Sequence, residues 1–196
     1  MKKTLSAAFL RLLAFLLALL LVVCTPLAIL ACCSLRLPEQ YGQTYYAAMK
    51  LKLDRLGDTP GARLVVIGGS STAFGIDSKI AEAELGMPCV NFGLYAAIGT
   101  KAMLDLSRPH IGAGDIVILA PEINAETLSL YFNGESFWQA ADSDFSMLSK
   151  VDYDNCGAVL GNYWGYVKEK LYYLRTEMLD PEGVYNEASF DEYGDI

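Results

Sequence analysis

Between Leu12 and Cys33, 22 consecutive residues carry no charge. A helix of that length, at about 1.5 Å per residue, reaches about 33 Å and crosses a hydrocarbon core. No polar stripe interrupts the run, so it does not suit a surface helix of a water-soluble domain. Lys2, Lys3 and Arg11 precede it, and no acidic residue does. The positive-inside rule then puts the N-terminus in the cytoplasm and the main domain outside a cell membrane crossed once. Pro26 lies within the run, where a kink is tolerated.

Two processed forms compete with an uncleaved anchor. A cleaved signal peptide has an apolar core of about 7–15 residues, shorter than this run. Ile29-Leu30-Ala31-Cys32 has the look of a bacterial lipoprotein cleavage site. In either case the 163 residues after Cys33 carry 12 basic and 23 acidic side chains, a formal charge of −11. That length suits one domain with a real core. The charge argues against nucleic acid and against anionic lipid surfaces as partners. Outside the apolar run only Cys89 and Cys156 remain, enough for one disulfide if they meet. With a single histidine and no Cys-x-x-Cys spacing, no zinc site and no cofactor are expected.

Three segments follow from the punctuation: residues 1–33 as cytoplasmic N-terminus and anchor, 34–61 as a juxtamembrane link and helix, and 62–196 as an α/β domain. In the link, residues 44–56 have helical spacing, with Tyr45, Ala48, Met49, Leu53 and Leu56 on one face and Leu51 off it. Gly57-Asp58-Thr59-Pro60-Gly61 is a turn cluster. Apolar strand patterns then recur at 64–67, 89–92 and 115–120. Helical patterns lie between them at 78–85, with Asp77 or Ser78 as N-cap, and at 100–106. Strands alternating with helices imply right-handed βαβ units and a parallel sheet. Residues 135–150 and 160–174 read as aromatic-rich helices, and 175–196 as loop.

The most telling stretch is Val65-Val66-Ile67-Gly68-Gly69-Ser70-Ser71-Thr72-Ala73-Phe74-Gly75-Ile76-Asp77. A buried strand ending in two glycines and two serines delivers a hydroxyl to the C-terminal edge of a sheet, where open α/β folds bind ligands. The stretch resembles the first motif block of SGNH/GDSL-type hydrolases. Its nearest likeness is to their membrane-anchored, envelope-associated members, such as D-alanylation and polysaccharide O-acetylation proteins. Laid on that block, Gly69 takes the motif glycine, Ser71 the nucleophile and Gly75 the later glycine, with Ser70 the alternate nucleophile one register away. Val90-Asn91-Phe92-Gly93-Leu94-Tyr95-Ala96-Ala97-Ile98-Gly99 resembles the second block. There Gly93, Ala96 or Gly99 would give a backbone N–H to an oxyanion. In the third block an asparagine completes the oxyanion hole. Here Glu122 stands nearest that position and Asn124 two residues on, a departure, because a carboxylate repels an oxyanion.

The resemblance implies a three-layer α/β/α, flavodoxin-like domain with a parallel sheet. It implies acyl ester hydrolysis or transfer on a cell-envelope glycan or polymer, beside a possible membrane-protein partner. A serine needs a base, and the family's Asp-x-x-His is absent. His110, the sole histidine, precedes the third strand and so falls at the opposite sheet edge from Ser71. The chain is therefore expected either to be an N-terminal fragment, its domain incomplete, or to be a noncatalytic envelope-assembly or partner-binding relative.

Two further groupings have ordinary readings. Asp142, Asp144, Asp152 and Asp154 lack the glycine and terminal glutamate of a calcium loop and read as a solvated acidic face. Tyr163, Trp164, Tyr166, Tyr172 and Tyr173 would stack on sugars or, at helical spacing, pack in a core.

Overall fold

A computed structural model describes residues 7–121, 123, 129–176, 179 and 181–196. Ala7–Ser34 forms one helix, α1, 28 residues long with Pro26 inside it. It is long and apolar enough to span a membrane. The chain divides into two units, Met1–Pro38 and Glu39–Ile196. Residues 39–61, read from the sequence as a link outside the α/β domain, thus belong to the second unit.

That unit is built on three parallel strands: β1 Leu64–Gly68, β2 Cys89–Gly93 and β3 Ile116–Ala120, in the order β2-β1-β3. All five residues of β1 and all five of β2 are buried. Their β-branched and aromatic side chains suit a pleated surface packed on both sides. In the register, Gly68 stands beside both Gly93 and Ala120. The three strands therefore end together in small residues.

The helices of this unit are α2 Ala48–Asp58, α3 Ser70–Gly75, α4 Ser78–Leu85, α5 Thr100–Ser107, α6 Gly134–Ala141 and α7 Cys156–Tyr173. A 3-10 turn, Tyr45–Ala47, leads into α2. Tyr45, Ala48, Met49, Leu53 and Leu56 are buried, as their spacing requires, while Leu51 is only half-buried. Asp77 caps α4 by accepting the Ile80 N–H at 2.9 Å. Leu64, Val66 and Cys89 pack with Ile76, Ala81 and Met87. The helical reading of 135–150 breaks after Ala141. Asp142 turns inward there, and Phe145–Lys150 continues as a 3-10 turn.

Asp142 is not part of a solvated face. Its carboxylate accepts from the N–H groups of Gln40 and Tyr41 at 2.7 and 3.2 Å, and from Tyr166 and Lys170. Asp144 caps the turn at Ser146, and Asp152 caps that at Asp154 while pairing with Arg108 at 3.1 Å. Asp142, Asp144 and Asp152 thus have separate structural duties, while Asp154 is exposed. Cys89 and Cys156 are free thiols, one buried in β2 and the other at the start of α7. The two do not pair.

The last residues, expected to be plain loop, are tied to the domain. Asn186 bridges Thr44, Phe190 packs on Tyr45 at 5.0 Å, and the Arg55 guanidinium lies 4.1 Å from the Tyr193 ring. Asp195 accepts the Ser78 N–H, and Gly194 accepts from Lys52.

β3 departs from its sequence pattern. Ile-Val-Ile-Leu-Ala reads as a doubly buried strand, yet Ile116 to Leu119 are 42–53% exposed. Among the described residues no strand pairs with its outer edge. An apolar groove of about 630 Å³ lies along it, lined by Ile67, Leu104, Ile111 and Val117.

Candidate functional site

Gly68 and Gly93 set the site by what they lack. A Cβ on Gly68 would lie 2.0 Å from Thr72 Oγ1 and 3.0 Å from the Ala120 carbonyl. One on Gly93 would lie 2.6 Å from Thr72 Cβ and 2.8 Å from the Ala73 nitrogen. The first turn of α3 therefore sits directly on the C-terminal ends of the strands, with the buried Thr72 side chain wedged between the two glycines. The Gly69 carbonyl accepts the N–H groups of Thr72 and Ala73 at 3.2 and 3.1 Å, closing that turn.

This wedge fixes the neighbouring serines. Ser71, one residue before Thr72, is exposed, and Ser70 is half-buried. Gly75 ends α3, with open space where its Cβ would be. Asn91, buried in β2, holds the arrangement from below. Its amide donates to the carbonyls of Ile76 at 3.1 Å and Ala73 at 3.4 Å, and its Oδ1 accepts the Gly93 N–H at 3.1 Å. The Asn-x-Gly spacing is visible in the sequence; its duty as a tie between strand and helix is not.

The loop after β2 bends through a 3-10 turn, Ala96–Ile98. Gly99 follows at φ +90°, and its N–H donates to the Ala96 carbonyl at 3.0 Å. A Cβ there would lie 2.4 Å from the Tyr131 carbonyl. The Tyr131 hydroxyl donates to the Ala96 carbonyl as well. Of the three residues singled out for an oxyanion N–H, Gly93 and Gly99 thus already spend theirs within the protein. Glu122 and Asn124 lie outside the described residues.

His110 stands at the other end of the sheet. The Arg63 guanidinium donates to the His110 carbonyl at 2.5 Å, and the Arg63 carbonyl accepts the Ile116 N–H at the start of β3. A five-residue strand spans about 17 Å, so the imidazole is out of reach of Ser71. Burial, with help from the Lys150 and Arg63 charges, pushes its pKa down.

Aromatic side chains border α3 on one side. Phe74, in the same helix as Ser71, stacks on Tyr45 with ring centroids 6.0 Å apart. The Tyr45 hydroxyl donates to the Leu94 carbonyl at 2.6 Å, and burial pushes its pKa up. Tyr95 contacts both Tyr45 and Tyr46 edge-on. Of the aromatics noted in α7, Tyr166 is buried against Trp138, Trp164 is 47% exposed, and Tyr173 meets Tyr41 edge-on at 6.0 Å. Sequence reasoning missed Tyr41, Tyr46 and Tyr95 as a group, because no single periodicity links them.

Comparison with protein-family models, curated proteins and solved structures finds no match to this chain.

Proposed function

We propose that this chain is a membrane-anchored, SGNH-like acyl-transfer protein in which Ser71 attacks acyl esters of a cell-envelope glycan or polymer. The observation that carries the reading is the strand-end wedge: Thr72, locked between Gly68 and Gly93, presents Ser71 to solvent at the C-terminal edge of a parallel sheet. Ligands of open α/β folds bind at that edge. In the reaction the Ser71 oxygen bonds to the acyl carbonyl carbon, and the backbone N–H groups of Ser71 and Ala96 hold the oxyanion. The ester oxygen leaves with a proton, and water or an acceptor hydroxyl then takes the acyl group. The three-layer architecture belongs to the same proposal, with a polypeptide seated along β3 completing the sheet. That polypeptide delivers the base that takes the Ser71 proton.

A fluorophosphonate probe applied to native membranes tests this. Labelling of the chain that disappears in Ser71→Ala and persists in Ser70→Ala is the expected result. Absence of Ser71-dependent labelling in those membranes overturns catalysis. The same uncovered strand favours a second reading, a noncatalytic scaffold that binds a partner along β3. That reading holds if labelling is absent while the chain still copurifies with an envelope protein whose release follows Ile118→Lys.

A further inference from the structure

Six tyrosines, Tyr41, Tyr45, Tyr46, Tyr95, Tyr173 and Tyr185, line one cleft of about 310 Å³ beside α3. That is half of the 12 tyrosines in the chain, gathered from four separate segments. The volume lies at the small end of ligand pockets, which run from about 300 Å³ upward. One wall belongs to the C-terminal segment, held in place by the Thr44–Asn186 bridge and by the Glu187 N–H donating to the Gln43 carbonyl at 3.0 Å. Tyr45, in the wall of the cleft, stacks on Phe74, which belongs to the same short helix as Ser71.

The chemistry of the lining narrows the ligand. Tyrosine gives a rigid apolar body and a polar tip at low entropic cost. Gln139 adds an amide with both donor and acceptor. Such a surface suits a molecule with flat C–H faces rimmed by hydroxyls. A cation is the competing occupant, because tyrosine boxes also bind quaternary ammonium. Two observations count against it. The carboxylate at the cleft's border, Glu169, already accepts from the Tyr41 hydroxyl at 2.9 Å and the Gln139 amide at 3.4 Å. Tyr41 meets Tyr46 at 88° and Tyr46 meets Tyr95 at 90°, so these rings stand edge to face in a row rather than turned together on one central point. An anion is disfavoured by the formal charge of −11 beyond Cys33.

We infer that this cleft binds a neutral saccharide, one or two pyranose units of a longer glycan, and holds it beside Ser71. The inference deepens the acyl-transfer reading and rests on it for the role of the bound sugar, while the binding itself is measured without catalysis. The full chain, in detergent, is titrated calorimetrically with N-acetylglucosamine tetramer, with maltotetraose and with choline chloride. At least one saccharide binds, and Tyr95→Ala or Tyr185→Ala weakens it tenfold or more. Trp164→Ala, an exposed aromatic elsewhere on α7, leaves it within twofold. Tyr185 is 60% exposed, so its truncation does not threaten folding. Ser71→Ala retains full saccharide affinity, which separates this site from the catalytic proposal. Binding of neither saccharide overturns the inference, as does binding of choline alone or saccharide affinity indifferent to both tyrosine variants.

Discussion

The Nζ of Lys52 lies 3.0 Å from the carbonyl oxygen of Asn91, wholly buried between α2 and β2. It also donates to the Gly194 carbonyl, so one ammonium ties the helix, the strand beneath the site and the C-terminal segment together. Burial lowers its pKa to about 8, against the partial support of Asp195 and Asp191.

This gives a signed pH dependence. The unfolded chain keeps the Lys52 proton to about pH 10.5, and the folded one releases it near 8. Between those values the unfolded state binds more protons, so stability rises with pH. The rise is lost as pH falls through 8, and amounts to about 3 kcal/mol over the full window. Urea unfolding of the detergent-solubilised chain at pH 7.5 and 9.5 should show the midpoint rising, and Lys52→Met should flatten the rise. An equal rise in both proteins would assign it to other groups.

His110 works in the same direction at lower pH. Its folded pKa is depressed, so the proton enters the unfolded chain first, and stability is lost as pH falls below about 6.5. The Nε2 is buried without a hydrogen-bond partner among the described residues, consistent with a neutral ring. His110→Gln should lessen the loss between pH 7 and 5. It should leave Ser71-dependent probe labelling unchanged, since the ring sits at the far edge of the sheet. Loss of labelling in this variant would place a base where the strand geometry forbids one.

Gly93→Ala tests the wedge. The added methyl meets both the Thr72 side chain and the backbone nitrogen of Ala73, so α3 has to shift. Overpacking of this kind costs about 1–3 kcal/mol. Because Ser71 rides on the same turn, probe labelling should fall further than the loss of folded protein accounts for, read as labelling per folded molecule from matched thermal melts. Labelling that merely tracks the folded fraction would uncouple the wedge from the serine.

The N-terminal apolar helix carries a topological expectation. A phosphatase reporter fused after Ile196 should be active outside the cytoplasm, because Lys2, Lys3 and Arg11 precede the apolar run and no acidic residue does. Activity of a cytoplasm-dependent reporter at the same position would reverse the orientation.

The strands, the helix starts and the long N-terminal apolar helix were legible because each is a local pattern: β-branched runs, a capping aspartate at 77, an uncharged stretch of membrane length. Lys52 was not, because its apolar neighbours Leu51 and Leu53 and its own charge suggest an exposed position. Its buried acceptors, the carbonyls of Asn91 and Gly194, come from 39 and 142 residues further along the chain. The tyrosine cleft was hidden for the same reason, its rings coming from segments far apart in sequence. β3 misled in the opposite sense. Its composition is that of a strand covered on both faces, and the described residues leave it open.

The buried pair of Lys170 and Asp142 offers the sharpest energetic test. Both side chains are almost fully buried, at 1% and 0% exposure, so their attraction is barely screened. Asp142 also joins α6 to the N-terminal entry of the unit through the Gln40 and Tyr41 N–H groups. Lys170→Met removes the cation and leaves a buried carboxylate, which costs about 3–5 kcal/mol. Adding Asp142→Asn removes the orphaned charge while keeping an oxygen for the two backbone donors. The double variant should therefore be more stable than Lys170→Met alone, with a favourable coupling from the double-mutant cycle. Tyr41, whose hydroxyl binds Glu169 in the same region, should keep its near-ultraviolet signature in the double variant and lose it in the single one. A double variant less stable than Lys170→Met would mean that Asp142 acts through its charge on the Gln40 and Tyr41 donors rather than through the lysine.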